Sequence, residues 1–170
     1  MNKLLERVLN VYRQLEKLEG LPKLLARLGV GLMFLGGALH KATHLCEFVT
    51  YFESLHIPFA AQQAPFVVAV ELFGGLALML GLGTRIAALM LSGTMVVALA
   101  TAAIPEHKIT ASWRGLLDFL YLPEWLLLTL LLWLVVAGAG PYSFDVSLRK
   151  SVEKRLGIGS AKNDTESKST

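Results

Sequence analysis

Cysteine is nearly absent from this chain: Cys46 is the only one in 170 residues. A single thiol excludes an intramolecular disulfide, a Cys-x-x-Cys redox pair and a multi-thiolate metal site, and with them membrane dithiol chemistry. Such a lone thiol is expected to be inert. Charge is also scarce. Charged residues make up 17% of the chain, against roughly 25% in ordinary globular proteins, and most of them sit toward the two ends. The four histidines have no tight ligand spacing, so no metal site is expected. Neither a haem ligand pair nor a cluster motif is present, so no residue here carries electrons stably.

What the chain has instead is apolar length. Apolar residues make up 54% and the mean hydropathy is +0.55, which points to one integral membrane bundle without room for a second domain. Four spans are read, at about 22–45, 64–82, 86–104 and 123–139. Gly20 and Pro22 mark the start of the first, proline being well tolerated in a first helical turn. Gly81-Leu82-Gly83-Thr84-Arg85 forms a tight turn between the second and third. The fourth is short unless Leu116–Leu122 extends it. The first run follows a long, charged leader and ends in HKATHLCEF rather than small residues. It is therefore expected to stay as an anchor and not to be cleaved as a signal sequence.

The basic residues set the orientation. Six lie in the leader through Arg27, six follow Gly140 and one is Arg85, whereas the other two connections hold only Lys41, Lys108 and Arg114. With four spans this puts thirteen on one side and three on the other, and the positive-inside rule places both termini in the cytoplasm. The net charge of +3 is thus a matter of topology and implies no nucleic-acid partner. Residues 1–20 repeat Leu4, Val8, Val11, Leu15 and Leu18 at helical spacing with charges opposite, which predicts an amphipathic interfacial helix or a docking helix for a partner. Residues 146–170 form a basic tail, expected to be largely disordered. Between the first two spans, Leu45, Phe48, Phe52 and Leu55 share one face, predicting a helix half-buried at the outer interface. The predicted fold is an all-α integral membrane four-helix bundle, with residues 21–145 as its domain.

Glu71 is the one charge in the run from Ala64 to Leu82. A carboxylate at membrane depth costs a few kcal/mol even on lenient scales, so it needs a partner, a proton or a job. At about 1.5 Å per residue it lies roughly 10 Å in from Ala64, near the height of His40 and Lys41. Gly29, Met33, Gly36 and His40 share a stripe, Gly37 and Lys41 the next, and Glu71 shares its own with Gly74, Gly75 and Leu78. Glycine stripes usually face other helices, so His40 and Lys41 are both expected to point inward toward Glu71. Such a group either holds the bundle together as a buried pair or forms a ligand-binding or proton-handling site. Arg27 and Arg85, at the cytoplasmic ends of their spans, are expected to anchor the bundle and contact lipid phosphates.

These residues resemble the DoxX family of small bacterial four-span membrane proteins. The resemblance runs from about Lys23 to Asp145, through LARLGVGLMFLGGALHKATH, FVTYFESLHIPF, AVELFGGLALMLGLGTR and the ending GAGPYSFD. Its matching polar positions are Arg27, His40, Lys41, Glu71 and Arg85. His56 stands where the family often has glycine and Pro141 where it often has arginine, and the leader is longer than usual. The resemblance implies a multi-pass protein of the bacterial inner membrane, near quinone-linked redox chemistry. It implies no covalent cofactor, an outer-leaflet polar pocket for a quinone-like or small anionic ligand, and a protein partner or second copy beside the lipid bilayer. As an enzyme the chain would be an oxidoreductase acting on quinone with a partner. A non-catalytic scaffold subunit is the rival reading, and a small-molecule transporter comes third, with no internal repeat to support it.

Overall fold

The computed structural model describes residues 20–107, 109, 112–146, 148 and 151. The helix expected in the leader, and most of the tail, fall outside the described residues. Within them all regular structure is helical, and there is no strand. Helix α1 spans Gly20–Thr43, α2 Leu45–Ser54 and α3 Ala60–Leu80. Helix α4 runs through Thr84–Glu106, with a π-helical segment at Leu99–Ala103. Helix α5 spans Trp113–Leu120 and α6 Pro123–Ala137.

Helices α1, α3 and α4 are each long and apolar enough to cross a membrane; α5 and α6 make a fourth span only if taken as one bent pair. Leu116–Leu122 does not extend the last span as a straight helix, because α5 is bent from α6 by 63°. Pro123, in the first turn of α6, donates no amide hydrogen, so the helix cannot run straight back through it. With 15 residues, α6 is about 22 Å long, shorter than the hydrocarbon core.

The helices pack in a ring. α1 lies on α3, α3 on α4, α4 on α6, and α6 closes lightly onto α1. Val30, Phe34, Leu78, Leu91, Leu131 and Leu134 fill the centre, while Leu32, Phe73, Ile86 and Val136 face outward, as lipid-facing positions do. Small residues decide how close α1 and α3 come. A Cβ on Gly31 would sit 2.8 Å from the carbonyl oxygen of Gly75, and a Cβ on Gly75 would sit 2.9 Å from that of Gly31. The α1 interface is therefore the stripe Arg27, Gly31, Phe34, Ala38 and Lys41. The expected stripe of Gly29, Met33, Gly36 and His40 is exposed instead, and a Cβ on Gly29 or Gly36 would meet nothing.

Helix α2 folds back over the end of the bundle, with Phe52 buried against Ala60 and Ala64 and with Phe48 packed beside them. This agrees with the half-buried helix expected there. His56, in the connection to α3, has φ of +58°, a left-handed conformation that glycine adopts with less strain.

Candidate functional site

The two ends of the bundle place their polar groups differently. At the end carrying the α3–α4 turn, Arg27 is 1% exposed. Its Nε donates to the carbonyl of Leu78 at 2.9 Å, Nη2 to Met79 at 3.2 Å, and Nη1 to Tyr142 at 3.2 Å and to Ala139. Leu78 and Met79 lie in the last turn of α3, where carbonyls have no partner within the helix and a cation is favoured. One guanidinium thus caps α3 and ties it to the segment after α6. The lipid-phosphate contact expected of Arg27 is not made, since four of its bonds go to protein carbonyls.

Asp145 completes this end with the opposite sign. Its carboxylate accepts from the amides of Gly83 at 2.7 Å and Thr84 at 3.2 Å, capping the first turn of α4 where a negative charge is favoured. Its own amide donates to Gly81 at 3.1 Å, a residue whose φ of +71° suits glycine. The ending GAGPYSFD therefore supplies two of the four carbonyls that Arg27 binds, those of Ala139 and Tyr142, and the carboxylate that caps α4. Arg85 is exposed, and its Nη2 lies 3.5 Å from the carbonyl of Val136.

Toward the α2 end, Lys41 Nζ donates to both carboxylate oxygens of Glu71, at 2.8 and 2.7 Å. Glu71 is buried at 3% side-chain exposure, while Lys41 keeps 33%. Helical side chains lean toward their own N-terminus. In these antiparallel helices that tilts Lys41 down into the bundle and Glu71 up toward it. Helix α3 begins at Ala60, so Glu71 stands about 16 Å along it, deeper than expected from a start at Ala64. Lys41 also lies 5.2 Å from the Phe48 ring centroid, a cation–π distance.

His40 does not join this pair. It is exposed, with Nδ1 3.2 Å from Nδ1 of His44 and the two rings edge to face. The α1 interface stripe passes through Lys41, which turns the neighbouring His40 outward. No cluster of three metal-ligating side chains occurs among the described residues.

Beside the Lys41–Glu71 pair lies a cavity of about 630 Å³. Its lining residues come from α1, α2, α3, α4 and α6. Phe48, Tyr51 and Phe52 of α2 cover it, and Val67, Val70, Met95, Ala98 and Leu127 give it apolar walls. Phe66, Met90, Gly93 and Val97 line it and are themselves exposed, forming a mouth between α3 and α4. The π segment contributes Thr101 and Ala102; such insertions are frequent at functional sites. The hydroxyls of Thr94 and Thr101 donate to their own helix at 2.8 Å each.

Glu124 also lines this cavity, and its Oε2 is buried without a hydrogen-bond partner among the described residues. It stands in the first turn of α6. Its burial depends on the bend between α5 and α6, which apolar periodicity does not reveal.

Residues 23–104 match the DoxX family model. The match contains Arg27, Lys41, Glu71 and Arg85 and ends before α6, so Glu124 and the ending at Asp145 lie outside it. No curated protein and no solved structure matches the chain.

Proposed function

We propose that this chain, which matches the DoxX family model over residues 23–104 and carries several helices apolar enough to span a membrane, serves as the ligand-binding membrane subunit of a quinone-linked redox system. The observation that carries this reading is the cavity: about 630 Å³, largely apolar, open at the side of the bundle and bordered by a lysine held on a buried carboxylate. Ligand pockets have this composition, apolar walls with few placed polar groups. Lys41 has three N–H groups and Glu71 takes two, leaving the third to donate to a ligand oxygen. Glu71 fixes the ammonium and neutralises it. It orients Lys41 and not His40, which pairs with His44 instead.

The charge asymmetry supports cytoplasmic termini in a bacterial inner membrane, with the cavity in the outer half. Cys46 tests that orientation, being exposed and the only cysteine. An impermeant maleimide added to intact spheroplasts should label it, and labelling only after lysis would reverse the topology.

Purification with endogenous lipid, followed by mass spectrometry for co-purifying quinone, tests the ligand. Wild type should carry quinone, and Lys41→Met and Glu71→Gln should each retain about tenfold less, the loss expected for one hydrogen bond from a charged donor. Equal quinone in all three proteins, or none in any, rejects the reading. Its rival, a non-catalytic scaffold for a partner protein, draws support from the closed bidentate pair and would leave the cavity filled by lipid alone.

A further inference from the structure

The cavity's polar groups also indicate which chemical form of ligand it takes, an argument that rests on the pocket reading above. Lys41 presents a spare N–H donor. Glu124 presents the reverse, a buried carboxylate oxygen that no donor reaches among the described residues. Buried polar atoms in native structures nearly always have partners, and an exception calls for an explanation such as a missing ligand. The hydroxyls of Thr94 and Thr101 do not serve, because they donate to Leu91 and Val97 of their own helix. The first turn of α6 accounts for a negative charge at position 124, but it leaves Oε2 without a donor. Tyr51 lines the same cavity. Burial, then the charges of Glu106 and Glu124, push its titration upward.

We infer that Glu124 is a second ligand-binding residue that accepts a hydrogen bond from a ligand hydroxyl, so that the cavity selects a hydroxylated aromatic amphiphile of quinol type over its oxidised form. A quinol offers what both walls lack. One hydroxyl oxygen accepts from Lys41 and the other hydroxyl donates to Glu124. A quinone offers acceptors only, and would bring a carbonyl oxygen against a carboxylate. A site built around a ligand hydroxyl discriminates strongly against the analogue without it, because the site's own polar group is then left unpaired.

The test uses the full chain in lipid nanodiscs under anaerobic conditions, with three probes: a short-chain benzoquinol, the matching benzoquinone and the dimethyl ether of the quinol. Wild type should bind the quinol about tenfold or more tighter than the other two. Glu124→Leu should abolish that preference by weakening quinol alone, while Glu124→Gln, whose amide oxygen still accepts, should keep part of it. Lys41→Met should weaken all three probes. If Glu124→Leu does not fold, a quinol preference reduced severalfold in Glu124→Gln decides in favour, and an unchanged one against. No preference in wild type, or full preference in Glu124→Leu, overturns the inference and leaves the pocket standing. Failure of every probe to bind, or binding that a cavity-filling Gly93→Leu leaves untouched, overturns the pocket and the inference together.

Discussion

The two ends of this bundle hold buried charge in opposite ways. At the turn end Arg27 and Asp145 spend their hydrogen bonds on backbone groups that two helix termini leave unpaired. Apart from the buried Thr84 hydroxyl, little polar capacity is left over. At the α2 end the Lys41–Glu71 pair satisfies Glu71 but leaves a donor on Lys41, and Glu124 across the cavity lacks one. Charged groups whose bonds are spent on backbone make a joint, and charged groups with residual capacity beside an apolar cavity make a binding site. Had both charged ends served only to hold helices together, both would be closed.

The comparison predicts that stability is concentrated at one end and recognition at the other. Arg27→Met should show the largest effect, removing one guanidinium that donates to four carbonyls, those of Leu78, Met79, Ala139 and Tyr142. Loss of a multiply bonded buried group of this kind costs more than about 3 kcal/mol, and thermal unfolding in detergent reads it. Arg27→Lys should recover only part, since an ammonium lacks the planar fork that reaches four carbonyls. Unfolding temperatures within a degree or two of wild type would show that this end is not the joint.

Lys41→Met comes next. It leaves a buried carboxylate alone, and removal of one partner from a buried pair costs about 3–5 kcal/mol; partial exposure of Lys41 puts the expected loss at about 2–3. The double variant Lys41→Met, Glu71→Leu separates the two roles. It should regain most of the stability, because apolar replacements of buried pairs are often neutral, while quinone retention stays lost. Regained retention would make the pair structural only. Asp145→Ala should cost about 1 kcal/mol, the usual value of an N-cap, and leave retention unchanged.

Some of this division is legible in the sequence. Glu71 stands out because a charge in a nineteen-residue apolar run requires an explanation, and Lys41 because it lies near the right height. The facing of α1 is not obtained from its glycines. Gly29, Gly36 and Gly37 outnumber Gly31, but only Gly31 makes the close approach. The better signal is charge: Arg27, Gly31, Phe34, Ala38 and Lys41 are spaced four, three, four and three, and two charged residues on one stripe of an apolar helix mark the buried side. The caps around the α3–α4 turn stay hidden because Arg27 and Asp145 reach it from more than fifty residues away in sequence. Glu124 stays hidden because a bend, with no pattern of its own, carries it into the cavity.

The smallest expected stability change gives the sharpest version of the comparison. Gly93 lies on the cavity wall, and a Cβ there would meet nothing within 4 Å. Gly93→Leu therefore adds bulk to open space within a helix. Exchange of a helical glycine for a good helix former favours folding by up to about 1 kcal/mol, so the unfolding temperature should hold or rise slightly. The leucine occupies the mouth between α3 and α4, and quinone retention should fall to background. Arg27→Met is expected to lose the fold, and retention with it; Gly93→Leu is expected to lose retention alone. Undiminished quinone in a stable Gly93→Leu protein would mean that the ligand sits elsewhere, and that the open end of the bundle is only an imperfectly packed one.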